Sequence, residues 1–242
     1  MYPEIYAHRG ASGLYPENTL EAFRAAYRLG ADGIELDVQL SADNQVVVIH
    51  DAVLGRTTNG RGLVRSHTLV ELKQLSAGEW LHPRYRLARV PSFEEVCAFI
   101  HPTQLRMIIE MKNFLTTQPL LEEKVLEILD LYQLQERVIF SSFNFNSLLQ
   151  IKRLMPKMKT GLLYVGAMKD PWQVAREYRT DQIHAPLSEI TPKLIKEAHA
   201  RNLQVYAWTV NGSHRMKSLQ QKGIDGIITN YPGRARRTIR KK

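Results

Sequence analysis

Two acids separated by one residue, Glu35 and Asp37 in the run Gly33-Ile34-Glu35-Leu36-Asp37-Val38, carry the most chemical content in this chain. Apolar and acidic side chains alternate there. An extended segment therefore turns Ile34, Leu36 and Val38 to one face and both carboxylates to the other. Two like charges on one face repel, and burying them unpaired is costly. Either Lys or Arg side chains neutralise them, or a hard cation does, and the strand is then the floor of a metal site. Further polar groups close other apolar runs: His8-Arg9-Gly10, His50-Asp51, Glu110-Met111-Lys112, Ser141-Ser142-Phe143 and Trp208-Thr209-Val210-Asn211. Glu35, Asp37 and Glu110 offer oxygen and no sulfur, which suits Mg2+ or Ca2+ better than zinc. Arg9 and Lys112 are placed to bind an anion such as phosphate, so Lys112 is expected to serve the phosphate and not either carboxylate. His8 and His50 titrate near neutrality and can act as general acid and general base. Together these groups describe phosphoryl transfer. His67, His82, His101, His184, His199 and His214 have no comparable company and read as structural.

Such groups must be held at strand ends, and the chain alternates short β-like runs with amphipathic stretches. Strands are predicted at Ile5–Ala7, Gly33–Leu40, Arg106–Met111, Val138–Ser141, Thr160–Val165, Ile183–Pro186, Gln204–Val210 and Ile224–Thr229, with Gln45–Ile49 as an extension of the second. Helices fall between them. The first runs from about Asn18 to Leu29, with Asn18 and Glu21 as its capping pair and Gly30 at its end. Another starts at Thr191-Pro192, an N-cap followed by a proline at the first helical position. Eight β/α units in 242 residues predict an α/β fold, the (β/α)8 barrel of roughly 250 residues, whose chemistry sits at the C-terminal strand ends. Residues 52–90 lack a strong period, although Thr68–Leu75 can form a short helix. A connection this long after the second strand reads as a small insertion subdomain over the catalytic face.

Composition bounds the rest. No apolar leader follows the N-terminus and no window approaches about 18 uninterrupted apolar residues, so neither a signal peptide nor a transmembrane segment is expected. The single cysteine, Cys97, shares a helical face with Phe93, Val96 and Ile100. It reads as a buried thiol and suits a reducing cytoplasm. Six positive charges of the net +9 crowd into residues 233–242, with no acid among them. This basic C-terminal tail is expected to be solvated and frayed, with weak attraction to lipid surfaces and no specific nucleic-acid role.

The runs His8-Arg9-Gly10-Ala11, Pro16-Glu17-Asn18-Thr19, Gly33-Ile34-Glu35-Leu36-Asp37 and His50-Asp51 resemble the signature of glycerophosphodiester phosphodiesterases. So do Arg56-Thr57-Thr58-Asn59-Gly60, Glu110-Met111-Lys112, Trp208-Thr209-Val210-Asn211 and Gly226-Ile227-Ile228-Thr229-Asn230-Tyr231-Pro232. The resemblance spans residues 1–232 in order. It implies a (β/α)8 TIM barrel with a small insertion after the second strand, at residues 52–90. It also implies metal-dependent hydrolysis of a glycerophosphodiester to sn-glycerol 3-phosphate and an alcohol. One divalent cation, Mg2+ or Ca2+, would sit on Glu35, Asp37 and Glu110, with His8 and His50 as the acid–base pair and Arg9 and Lys112 on the phosphate. Phe143 and Trp208 would wall the glycerol end, plain packing being the other use open to both. Glu17 either joins the site or merely precedes the helix cap. Asn230 stands where the family commonly has Asp, so a carboxylate role at the last strand lacks support. Small substrates such as glycerophosphocholine or glycerophosphoethanolamine fit this reading. The alternative is a lysophospholipase D, drawn to lipid by its basic tail. A non-catalytic barrel would be expected to lack a ligand or base, and none is missing. Direct attack by water and a cyclic phosphate intermediate both remain open, as does the choice of acid and base.

Overall fold

The computed structural model of the protein describes residues 2–113 and 118–240. β1 (Glu4–His8) leads through α1 (Leu20–Arg28) to β2 (Gly33–Leu40), along whose outer end β3 (Val46–Val48) runs back antiparallel. α2 (Leu69–Gln74) and α3 (Phe93–Ile100) precede β4 (Arg106–Met111). A regular alternation follows: α4 (Leu121–Leu131), β5 (Val138–Ser142), α5 (Phe145–Leu154), β6 (Lys159–Leu163), α6 (Pro171–Glu177), β7 (Gln182–Pro186), α7 (Pro192–His199), β8 (Gln204–Trp208), α8 (Ser213–Gln221), β9 (Gly226–Thr229) and α9 (Pro232–Ile239). β1 pairs in parallel with both β2 and β9, which closes β1, β2 and β4 to β9 into the expected (β/α)8 barrel.

The period of two decides which side chains go where. Ile34, Leu36, Val38 and Leu40 of β2 face outward and are fully buried, with Phe23 of α1 and Phe93, Val96 and Cys97 of α3 in the same apolar layer. A second layer of this kind lies under α6 to α9. Inside the barrel, Tyr6, Ile108, Ile139, Tyr206 and Ile228 fill the middle. Below them Glu4 accepts hydrogen bonds from both tyrosine hydroxyls and pairs with Arg106 at 2.5 Å, which seals the N-terminal end. The opposite end is therefore the one left for chemistry.

Three local expectations are corrected. The Gln45–Ile49 run does not extend β2: β3 pairs antiparallel with it, Val38 opposite Val48, and the chain turns back at Ser41–Gln45. Helix α1 is capped by Thr19, not Asn18. Thr19 accepts from the Ala22 N–H, while Asn18 adopts φ 55° and turns its amide to Asp37. As far as residue 240 the terminal basic stretch is not a frayed tail; Lys241 and Lys242 lie outside the described residues. Residues 232–239 form α9, which buries Ala235 and Ile239, and Arg236 and Arg240 both reach Asp32. A basic run folds here because its apolar residues recur at helical spacing and Asp32 answers part of its charge. Ile239 is 3% exposed. Accordingly Ile239→Ala is expected to lower unfolding stability in urea by about 2–4 kcal/mol, the cost of a core deletion; a solvated tail would show no change.

The segment after β3 has a core of its own. Ile49, Leu54, Val64, Leu72, Ala77 and Val90 bury against Val47. α2 starts with a capping box in which Thr68 and Glu71 satisfy each other's backbone N–H groups.

Candidate active site

Register brings the acids together. Across β1, β2 and β4, His8 lies opposite Glu35, and Asp37 opposite Glu110, all at the C-terminal ends. One carboxylate oxygen from each of Glu35, Asp37 and Glu110 lies within 4.8 Å of the other two. The three side chains belong to residues 5%, 0% and 9% exposed.

The neighbours of these acids are unequal. Asp37 Oδ2 accepts from Asn18 Nδ2 at 2.8 Å and lies 3.5 Å from Arg9 Nε, and Lys112 Nζ stands 3.5 Å from Oδ1. Burial alone would raise the Asp37 pKa, but Lys112 and Arg9 hold it well below the usual carboxylate range. Burial and then the Asp37 charge raise Glu110 to about 7. Burial, Asp37 and Glu110 push Glu35 up as well. Lys112 Nζ lies 2.7 Å from Glu110, so in this structure it pairs with carboxylates, contrary to the expectation that it would serve only a phosphate. The two residues share one face at spacing two, and a buried charge takes the nearest opposite charge.

Two polar atoms stand out. Asp37 Oδ1 and Arg9 Nε are buried and make no hydrogen bond. An unsatisfied acceptor beside two other carboxylates fits a hard cation, and an unsatisfied guanidinium donor beside it fits an anion. The all-oxygen donor set thus suits Mg2+ or Ca2+. Arg9 is itself held in the left-handed region, φ 54°, with its backbone N–H on Glu35 Oε2 at 2.9 Å. The next residue, Gly10, has φ 81°, and a Cβ there would stand 2.7 Å from Ala22, so only glycine lets this loop close onto α1.

Each of the two histidines is tied at Nδ1. His8 Nδ1 donates to Asn230 Oδ1 at 2.7 Å, and Asn230 is fixed by its own N–H to Asn211 Oδ1 at 2.9 Å. His50 Nδ1 lies 2.6 Å from Asp51 Oδ1. Both rings therefore present Nε2 as their second nitrogen. Burial, then Arg9, lowers His8 to about 4. Burial lowers His50 too, opposed by Asp37 and by Asp51. His184 also lines a cavity at this end of the barrel, but Ser141 and Gln182 engage its ring nitrogens at 3.0 and 2.9 Å, so both nitrogens are already occupied.

Several contributors had no definite role in the site from the sequence. Gln39, 3% exposed, donates from Nε2 to the carbonyls of Ile49, His50 and Asp51, which fixes the backbone that carries His50. Its signal was available: Glu35, Asp37 and Gln39 continue one period-two face. Arg56 lies in the inserted segment and binds Asp51 and Glu17, and Glu17 in turn accepts from Arg9 at 2.8 Å. Glu17 therefore does join the site. The Asn18 contact to Asp37 has no sequence signal, because a capping reading accounted for the same residue.

Two cavities meet at this end. An inner one of about 140 Å3 is lined by His8, Arg9, Glu35, His184 and Trp208, and an outer one of about 660 Å3 by Asp51, Val53, Leu54, Arg56, Lys112 and Val165. His50, Glu110 and Phe143 line both. Phe143 meets Trp208 edge-on, ring centres 6.1 Å apart, and the Trp208 indole N–H donates to the His184 carbonyl at 3.1 Å.

Residues 8–234 match the model of the glycerophosphoryl diester phosphodiesterase family. The chain is similar to a glycerophosphodiester phosphodiesterase of Caldanaerobacter subterraneus subsp. tengcongensis, 40% identical over 237 residues and covering 98% of each chain. A glycerophosphodiester phosphodiesterase of Bacillus altitudinis is 37% identical over 235 residues, 96% of each chain. Among solved structures, a phosphodiesterase of Oleispira antarctica, in complex with the product sn-glycerol-3-phosphate, superimposes with a TM-score of 0.90 at 32% identity, covering 99% of this chain and 98% of that one.

Proposed function

The chain belongs to the glycerophosphoryl diester phosphodiesterase family, and from that premise we propose that it hydrolyses glycerophosphodiesters to sn-glycerol 3-phosphate and an alcohol, using one divalent cation and the His8–His50 pair. The carrying observation is the buried trio Glu35, Asp37 and Glu110, with its oxygens within 4.8 Å, flanked by Arg9, Lys112 and both imidazoles. Mg2+ or Ca2+ on that trio would polarise a phosphoryl oxygen and offset charge.

The chain's own residues supply the rest. Arg9 and Lys112 bind the non-bridging phosphate oxygens, the first through its planar fork. The inner cavity takes the glycerol moiety, with Trp208 and Phe143 as its wall. His8 borders only that cavity and is neutral at pH 7, so its Nε2 accepts the proton of the attacking hydroxyl, whether water or the glycerol 2-hydroxyl. His50 stands where the cavities join, with Asp51 stabilising its imidazolium, and its Nε2 donates a proton to the departing alcohol. Gln39 and Asn230 keep the two rings in place. The small inner cavity and the packed α9 both speak for a glycerol diester over a lysophospholipid.

Product analysis tests this reading. Purified protein is expected to release glycerol 3-phosphate from a panel of glycerophosphodiesters, to stop in EDTA, and to recover with Mg2+ or Ca2+. No release from any head group in either cation would overturn it.

A further inference from the structure

We infer that the outer cavity is a subsite for the alcohol half of the substrate and selects an uncharged alcohol with an aliphatic chain over a cationic head group such as choline. The inference rests on the hydrolase reading above and adds its substrate class. The cavity begins at the acid–base and phosphate groups and has room, about 660 Å3, for much more than ethanolamine. Its apolar lining is Ala52, Val53, Leu54, Met111, Phe143 and Val165. Val53 and Val165, both in this lining, are 55% and 66% exposed and so offer apolar surface to a ligand.

The charges present argue the same way. A quaternary ammonium is recognised by a free carboxylate or by several aromatic faces. The carboxylates that line this cavity are already committed. Asp51 is bound by His50 at 2.6 Å and by Arg56, and Glu110 by Lys112 at 2.7 Å. Phe143 is the one aromatic ring among the described lining residues. The same pairs neutralise Arg56 and Lys112, so a cationic alcohol meets no unpaired carboxylate there to offset the loss of its hydration, a cost that a neutral chain does not carry. The net reaction is an ordinary hydrolysis: the bond from phosphorus to the alcohol oxygen breaks, the oxygen of water ends on phosphorus, and the alcohol leaves as ROH.

Glycerophosphodiesters of ethanol, hexanol and choline separate the possibilities when assayed on the cation-replete enzyme. Each methylene seated on the wall strengthens binding up to about fourfold, so KM is expected to fall at least about tenfold from the ethyl to the hexyl ester, with kcat changed less than about threefold. The choline ester is expected to have the highest KM of the three. The double variant V53S/V165S is expected to narrow the hexyl-to-ethyl ratio of kcat/KM by about fivefold, since two walls lose their apolar surface. Equal KM values for ethyl and hexyl esters, a choline ester as good as the hexyl ester, or an unchanged ratio in the double variant would overturn the subsite while turnover of the ethyl ester keeps the hydrolase reading intact. Failure to release glycerol 3-phosphate from all three would overturn both.

Discussion

His50→Ala and His8→Ala each lower kcat on an unactivated glycerophosphodiester by about 10²–10⁴, the range for loss of a positioned proton carrier. The two losses differ in kind. His50 sits at the junction of the cavities with its Nδ1 on Asp51, a contact that opposes the lowering imposed on the ring by burial and so favours the protonated form that an acid needs. A diester with p-nitrophenol as the alcohol needs no proton on departure. On that substrate His50→Ala is expected to lose less than about tenfold, while His8→Ala keeps its full defect. The contrast follows from His8 bordering only the inner cavity and lying neutral, near 4, under burial and the Arg9 charge. Equal losses on both substrates would remove His50 from the acid role. A loss under about tenfold for either histidine on the unactivated ester would remove that residue from proton transfer altogether.

Asp37→Asn is expected to be at least as damaging, lowering kcat/KM by about 10³ or more, because cation catalysis supplies several kcal/mol. Asp37 is fully buried, central to the carboxylate trio, and faces Arg9, Lys112 and Asn18 at once. The amide keeps the shape and removes the charge that both cations and the metal require. The second readout is binding: Mg2+ or Ca2+ raises the Tm of the parent protein and leaves the variant unmoved. Proton competition gives the pH dependence. Glu110 is raised to about 7, and Glu35 is raised too, so at lower pH a cation must displace protons from both. Affinity measured by calorimetry is therefore expected to weaken from about pH 8 to about pH 6, with proton release on binding. The metal-free protein runs the other way. Its raised carboxylates bind protons more tightly folded than unfolded, so their own contribution to stability falls as pH rises from about 4.5 to about 7, whereas His8, lowered to about 4, contributes in the opposite sense over that range. A cation affinity flat across that range, or a variant that still gains Tm, would sink the carboxylate shell.

Much of this site was legible before any fold was known. Alternation over residues 33–38 already put Glu35 and Asp37 on one face, and the rhythm of eight β/α units already put that face inside a barrel. The ordered motifs carried the family. Other parts were not legible for physical reasons. Asn18 has the residue type of a helix cap, and capping chemistry is the same whether the side chain meets its own helix or a carboxylate across the barrel. Arg56 lies in a stretch without period, where nothing in the sequence says which way a long side chain points. The terminal arginines dominate a count of charge, and the count hid Ala235 and Ile239 at helical spacing between them.

The sequence by itself determined which groups are present and which strand face holds them, because side-chain alternation is a property of the local backbone. Only the tertiary structure decided how those groups are partnered. Closure of β1 against β9 sets Asn230 on His8 across 222 positions, and the turn after β3 lets Gln39 hold the His50 backbone. Closure also places Asp37 under Lys112 and Arg9, leaving Glu110 and Glu35 the carboxylates that are raised. Hydrogen bonds and Coulomb terms of this kind depend on separations of a few ångströms between residues far apart in the chain, and spacing along the sequence carries no such distance.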